Sequence, residues 1–557
     1  MNPRDPVNPI NFMNHKNPMR PQLALARVET MPNLPAPYLM RDWLKVAREY
    51  DALIFNHTAT GVFQPFIWID RGKRNSSQKG FGLPTIMGDP RMSAKENPEG
   101  HEAINCMAAV LSGALVGIDK TNQDGFDYVR MCENYFNKAN GQRVFLNSTG
   151  GSPSSFWYTT YPNILFFCLT DLYPKHHRNE SLMKRVADQF HRASHTLGKP
   201  DWYTGYNFLT HRPKSNGQWV EGDAAAGIGW LQYMAFIRFH DPKYLEGAER
   251  AMSFLERETR NPFYEVLLPY GAYLAARMNA ETGKKYDVEK ILNWCFDDSS
   301  ACRPGWGIAL GKWGKYEVNG LRGDLTDGGG YVFAMNSFHM IGALVPLVRY
   351  DPRFARAIGK WVLNAANAAR LFYADGLPEN LQTCFHQSAS TKNVIAYEGL
   401  RREGIRPEDR RKIPCACGDP TAGRWGKTLP SDFSLYGSSH AGFLGGILMK
   451  TNDEMILQID CLKTDFFHSP AYPTYLFFNP YKVKKKIILT GVQSPVDLYD
   501  SVKGEFLKCN PGDPFSFFLE GNAAAVIVLA PSGGKLEKRS GKLLVNGIVI
   551  DFWTLQK

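Results

Sequence analysis

Two short corners constrain this chain more than anything else in it. Arg238-Phe239-His240-Asp241-Pro242-Lys243-Tyr244 closes one helix-like stretch and opens the next. Arg349-Tyr350-Asp351-Pro352-Arg353-Phe354 repeats the pattern about 110 residues later. An Asp at such a corner accepts hydrogen bonds from the free amides of the new helix, and Pro takes the first helical position, where no amide donor is needed. A link this short joins two antiparallel helices into a hairpin. The interval predicts hairpins of about 55 residues, with one lying between the two corners, and roughly six fit between residues 38 and 465. Six hairpins can close into a ring whose inner helices line a central cavity.

Helical spacing supports this over most of the chain. Helices are expected over 39–54, 102–118, 126–139, 163–172, 182–197, 224–239, 244–258, 266–282, 288–296, 332–348 and 354–372. Phe338, Ile341, Leu344, Val345 and Val348 recur at helical intervals and form one core-facing stripe. From Tyr475 the texture changes to short β runs, over 486–490, 496–499, 515–519 and 525–529. Leu543 to Ile550 has Asn546-Gly547 at its centre, the two-residue turn of a tight hairpin. The expected organisation is mainly α: an irregular arm over 1–37, an (α/α)6 barrel or helical-hairpin toroid over 38–472, and a small antiparallel β-sandwich over 473–557.

Composition narrows the function classes. Aromatic residues make up 13% of the chain, enough for both a ring-rich core and platforms for sugar faces. The net charge of +11 would attract anionic partners. Its carriers are spread along the chain, with one tight run at Lys482, Lys484, Lys485 and Lys486, where lysines guard a sheet edge. No recognition motif accompanies the charge, so nucleic acid is not an expected partner. The ten cysteines fall mostly in apolar helical stretches and do not form a disulfide scaffold. No uninterrupted apolar run is long enough to span a membrane, and the Pro- and Asn-rich N-terminus lacks the apolar core of a signal peptide. The expected location is the cytoplasm, or the periplasm or exterior if a signal has been removed.

The hairpin corners, the Trp-bearing loops around Trp306, Trp313 and Trp425, and the C-terminal stretch PSGGKLEKRSGKLLVNGIVIDF together resemble the six-hairpin glycosidase superfamily. That resemblance implies glycoside hydrolysis by carboxylates at the inner-helix ends, on an oligo- or polysaccharide, with no cofactor. Related helical toroids include polysaccharide lyases and unsaturated uronyl hydrolases acting on uronic-acid glycans. Either activity, or a non-catalytic glycan-binding role, is the alternative.

Hydrolysis needs one carboxyl group to protonate the leaving oxygen and, in most such enzymes, a second to activate water or attack the sugar. Acids beside Gly-rich loops at helix starts are the natural candidates. Glu221 and Asp223 lie in WVEGDAAAG, after Trp219. Asp324 and Asp327 lie in RGDLTDGGGY, before Tyr331, where three glycines would let backbone approach a ligand. Asp432, Tyr436 and His440 are spaced four apart and would share a helix face. For each, helix capping is the plain structural alternative. Asp223 and Asp327 are expected to face one cavity as the catalytic pair. Trp202, Tyr203, His211 and Arg212 resemble a substrate loop, with Arg212 placed to pair with an acidic sugar. Trp306 and Trp425 are candidate stacking rings on loops. Cys384, His386, Cys415 and Cys417 are the only weak metal candidates, and their spacing is not that of a zinc site.

Overall fold

One-sided and uniformly apolar helices alternate along the chain, and the computed structural model sorts them into two layers. It describes residues 19–93, 100–151, 153, 155–197, 203–217, 219–418, 431–492, 495–507 and 515–552. In chain order the ring helices are α1 (Trp43–Ile54), α2 (Ala103–Leu115), α3 (Tyr128–Met131), α4 (Phe156–Leu172), α5 (Asn179–Ser194) and α6 (Ala224–Phe239). They continue as α7 (Pro242–Arg257), α8 (Leu268–Thr282), α9 (Val288–Phe296), α10 (Ala334–Leu344), α11 (Ala355–Ala368) and α12 (Ala441–Ile447). The even-numbered helices are buried along most of their length, whereas α1, α5 and α7 bury one face and expose the other. A helix apolar all round must be covered on every side. The even-numbered helices accordingly pack against one another in a closed cycle, α2–α4–α6–α8–α10–α12 and back to α2, with the others outside.

Both corners form as expected. His240 takes the left-handed conformation that closes α6, Asp241 accepts the Lys243 amide at 3.2 Å, and Pro242 opens α7. Asp351 accepts the Arg353 amide at 3.3 Å before a short 3-10 turn leads into α11. A third corner lies between them, where Gly283 closes α8 and Asp287 caps α9 through the Lys290 amide at 2.9 Å.

Three expectations change. The helix expected over 126–139 shrinks to α3 and a 3-10 turn, Cys132–Tyr135. There the Asn137 side chain donates to the backbone oxygens of Tyr135 and Ser148, which holds the chain in a loop. The helix expected from residue 163 starts at Phe156, because Ser155 caps it and burial on all sides carries it across Pro162. Most of all, the helical region is not purely helical. β1 (Trp306–Ile308), β2 (Arg322–Asp324), β3 (Tyr331–Phe333), β4 (Gly399–Arg401) and β5 (Cys415–Cys417) form an antiparallel sheet in the order β5-β4-β3-β2-β1. Strands this short carry too little alternation to be recognised in sequence.

The C-terminal strands are β6 (Leu448–Lys450), β7 (Leu457–Asp460), β8 (Thr474–Phe478), β9 (Lys485–Ile488), β10 (Val496–Asp500), β11 (Glu505–Phe506), β12 (Ser516–Leu519) and β13 (Ala524–Pro531). A last antiparallel sheet follows, from β14 (Leu536–Arg539), β15 (Lys542–Val545) and β16 (Ile548–Asp551). The central sheet runs β6-β7-β8-β13-β10-β11, and its first two strands precede residue 473 because α12 continues directly into β6. Alternation along β13 sorts its side chains between two cores. Ala525, Ile527 and Leu529 meet the β9–β12 pair, while Val528 and Ala530 meet β15 and β16. Asn546 and Gly547 both have positive φ in the β15–β16 turn, as an Asn-Gly hairpin requires. The sheet packs on α11, which explains why that outer helix is buried nearly all round. No described helix is long and apolar enough to cross a membrane.

At the C-terminal ends of the inner helices the chain buries a charged knot. Asp465, in the link to β8, accepts from Tyr273 at 2.6 Å, Arg349 at 2.6 Å and Tyr350 at 3.0 Å. Arg277 donates to the backbone oxygens of Phe466 at 2.8 Å and Phe467 at 2.6 Å, and its Nε donates to Glu281. Removing one partner leaves the other charges buried and unpaired. Asp465→Ala is therefore expected to cost about 3–5 kcal/mol. Urea unfolding checks this, and a loss below about 1 kcal/mol would show that the knot does not hold the ring to the sheet.

Candidate active site

The opposite ends of the inner helices, their N-termini, surround a cleft of about 200 Å³. Each contributing side chain is placed by a helix start or a strand end. Glu102 occupies the N-cap of α2, and Trp157 and Tyr158 open α4. Glu265 precedes α8, Met335 and Asn336 open α10, and Tyr436 lies on the short turn before α12. Glu398 stands immediately before β4, and Arg303 precedes β1.

Three carboxylates from three different parts of the ring therefore share one cleft. Glu102 accepts from Arg91 Nη1 at 3.1 Å and Asn147 Nδ2 at 2.7 Å. Glu265 is paired with Arg303, and its second oxygen accepts from Asn336 Nδ2 at 3.4 Å. The Arg303 guanidinium lies 4.1 Å over the Trp306 ring, which fixes its plane. Glu398 accepts the Tyr331 hydroxyl at 3.1 Å, and Arg401 lies 3.8 Å over the Tyr331 ring.

The sequence-derived acids stand elsewhere. Asp223 and Glu221 are buried just behind the cleft and cap neighbouring helices rather than their own. The Asp223 side chain makes no cap bond to α6. Its Oδ2 accepts the amides of Glu265 at 3.4 Å and Leu267 at 3.3 Å, at the start of α8. Glu221 accepts the Trp157 amide at 2.9 Å, at the start of α4, and the Trp219 indole N–H at 3.2 Å. Burial pushes the Glu221 carboxyl up to about 8 and the Asp223 carboxyl up to about 7. Asp223 Oδ1 has no hydrogen-bond partner among the described residues.

Asp327 is half-exposed and held by Arg401 through two contacts of 3.2 Å. It does not line the cleft, nor does Asp223, so the expected pair facing one cavity is corrected: Arg401 holds Asp327, and Asp223 lies behind the cleft wall. Asp324 folds its own turn, accepting from the Thr326 amide at 3.0 Å and hydroxyl at 2.8 Å. The three glycines after Asp327 all have positive φ and make a tight turn into β3. A Cβ on Gly330 would meet the Trp313 ring at 2.8 Å, so packing requires glycine there. Asp432 is buried in an ion pair of 2.6 Å with Arg406. His440 lies in the ring axis, bonded to the Tyr161 hydroxyl at 2.9 Å and the Tyr436 carbonyl at 3.1 Å. Burial pushes its imidazole down to about 4, so it is neutral near neutral pH.

Among the expected binding residues, Tyr436 lines the cleft and Tyr331 orients Glu398. Trp306 is fully buried and supports Arg303, so it is no stacking platform. Tyr203 is half-buried, and His211 and Arg212 are exposed on a small hairpin outside the cleft lining. Trp202 and Trp425 lie outside the described residues. No three His, Cys, Asp or Glu side chains gather as a metal site among the described residues, and Cys384, His386, Cys415 and Cys417 form no such group.

Glu102, Glu265 and Glu398 were missed because none borders a Gly-rich loop. A different signal finds two of them: an acid one to three residues before a uniformly apolar helix, as with Glu102 before Ala103 and Glu265 before Leu268. Nothing comparable marks Glu398, which sits at a strand end.

The raised carboxyls carry a pH signature. In the folded chain Asp223 and Glu221 keep a proton at pH values where the unfolded chain has lost it. Their contribution to stability is thus fully present below about pH 4 and fades as pH rises through about 7 to 8. The wild-type chain should therefore lose stability relative to Asp223→Asn between pH 5 and 8, with a slope of at most about 1.4 kcal/mol per pH unit. Thermal unfolding across that range tests it, and parallel curves for the two chains would refute it.

No protein-family model and no curated protein sequence matches this chain. Solved structures similar to it include a GH127 β-L-arabinofuranosidase from Geobacillus stearothermophilus T6, 10% identical over 92% of this chain and 85% of that one, with a TM-score of 0.34. An α-1,6-mannanase of GH76 from Salegentibacter sp. HEL1_6 is 12% identical over 72% of this chain and 98% of that one, with a TM-score of 0.35. Cellobiose 2-epimerase from Bacillus thermoamylovorans is 9% identical over 72% of this chain and 99% of that one, with a TM-score of 0.36.

Proposed function

We propose that the protein is a carbohydrate-active enzyme, a glycoside hydrolase working at the N-terminal face of its helical ring. One observation carries this reading: carboxylates from separate hairpins converge in a single cleft beside Arg303, Asn336 and Tyr436. Convergent carboxylates support hydrolysis over elimination. The Tyr161–His440 pair that elimination could use is buried in the ring axis.

Roles follow from partners. Glu265 is paired with Arg303 and Asn336, and we assign it to take a proton from water or to attack the anomeric carbon. The leaving oxygen must receive a proton as its bond to that carbon breaks, and Glu102 and Glu398 are the two groups available for this in the cleft. Asp223 and Glu221 act through others: the first fixes the backbone at Glu265 and the second fixes Trp157. They are positioning residues in this reading.

Glu265→Gln should lower turnover of a cleaved glycan by about a hundredfold or more, with the unfolding temperature kept. Between Glu102→Gln and Glu398→Gln, the variant lacking the acid should keep most of its rate on aryl glycosides with activated leaving groups, which need no proton. Asp327→Asn should leave the rate near that of the wild type. Reducing-end release across a glycan array is the measurement. Products absorbing in the ultraviolet, with no new reducing ends traceable to hydrolysis, would overturn the hydrolase reading.

A further inference from the structure

The cleft, at about 200 Å³, is smaller than the roughly 300–1,000 Å³ of pockets that enclose an organic ligand. A glycan chain reaching it must therefore lie partly on the surface beside it. One wall continues outward from the cleft as a connected series of planar groups. Arg303, in the cleft, sits 5.8 Å over the Tyr264 ring as well as over Trp306. Tyr264 and Trp219 then lie nearly parallel, at 6°, with ring centroids 5.9 Å apart, and both are half-buried.

The Trp219 ring is not free to turn away, and the backbone beside Tyr264 is fixed. The Trp219 indole N–H is held by Glu221, whose other oxygen holds the amide of Trp157 at the cleft edge. Tyr264 is the chain neighbour of the cleft carboxylate Glu265, whose amide is held by Asp223. Two partly exposed, parallel rings, one of them pinned by a buried acid, have little to lose in conformational freedom when a flat apolar face covers them. The face of a sugar ring is such a surface, with C–H groups toward the aromatic ring and hydroxyls at the edge.

From this the structure assigns Trp219 and Tyr264 as a second sugar-binding platform. It adjoins the cleft and would hold the next units of an oligo- or polysaccharide whose scissile end lies at Glu265. The assignment rests on the proposed carbohydrate activity and sharpens it: the substrate is a chain of sugars rather than a single glycoside.

Affinity electrophoresis separates the two claims, because it needs no turnover. The full chain, made inactive by Glu265→Gln, would be run through gels cast with laminarin, mannan, arabinan, galactan, pectate or alginate. At least one polysaccharide should retard it, and Trp219→Ala and Tyr264→Ala should each weaken the apparent affinity about three- to tenfold. Trp219→Phe, which keeps a ring face, should retain most of the retardation and guards against a folding defect. With the active chain, the alanine variants should raise KM on the polymer by more than they raise it on an aryl monosaccharide glycoside. Retardation that persists undiminished in both alanine variants overturns the platform and leaves the hydrolase reading standing. Retardation lost with the platform in a chain that hydrolyses nothing overturns the hydrolase reading and leaves the platform. A wild-type chain that no polysaccharide retards overturns the platform as well.

Discussion

Inner helices that all begin at one face of a ring bring their unpaired amides and positive dipole ends together, and the rest of the site answers to that concentration. Each helix start leaves several N–H groups without intrahelical partners and carries a partial positive charge. Packed side by side in the ring, these ends cannot all be satisfied by water. Glu221 and Asp223 are the response: each stands at the start of α6 but reaches sideways to amides of α4 or α8. Cross-capping of this kind links neighbouring hairpins, so the ring closes through its caps as well as through apolar contact. It also explains why acids gather here in a chain of net charge +11. The same field favours acidic side chains such as Glu102 and Glu265 at the helix starts.

The other end of the ring is built differently. There the helices finish with negative dipole ends, and the cations Arg277 and Arg349 are buried among them. Arg277 places two donors on the carbonyls of Phe466 and Phe467, so the link to the C-terminal sheets is gripped by its backbone. The N-terminal arm adds a second tie. Arg20 pairs with Asp551 at 2.6 Å, Leu23 bonds to the Arg353 carbonyl at 2.8 Å, and Glu29 pairs with Arg356. The arm and the sheets thus clamp the ring at the C-terminal ends of its inner helices, the end opposite the cleft.

Much of this was legible in the residues. The Asp-Pro corners and the Asn-Gly turn depend on local backbone chemistry, which a single sequence states directly. Inner and outer helices also differ visibly in how uniformly apolar they are, although the stripe assigned to Phe338, Ile341 and Leu344 understated a helix buried on all sides. The site was legible only in part. The acids of WVEGDAAAG stand at the same end of the ring as the cleft, but a capping residue and a cleft-lining residue look alike until the neighbouring helix is known. Asp327 shows the same ambiguity: the glycines after it take positive φ in the turn into β3, and Gly330 packs against the Trp313 ring. Glu398 owes its position to the pairing of β3 with β4 across a long separation in sequence, which no local pattern records.

Ring closure has a consequence for how the chain is made. The first inner helix, α2, finds one of its two neighbours only in α12, more than three hundred residues later. Until α12 leaves the ribosome, Ser112 lacks its partner at Gly442 and the Trp43 backbone lacks Gly445 against it. Five hairpins can stack as they emerge, but the open seam exposes the apolar flanks of α2 and α10 throughout synthesis. Contacts this distant in sequence form slowly, and exposed seams of this kind invite association between chains. The final helix is short and holds three glycines, Gly442, Gly445 and Gly446, at close approaches to α1 and α2. It works as a keystone, slim enough to enter a gap that already exists, and a larger side chain at Gly442 would bar assembly after nearly all of the protein had been built.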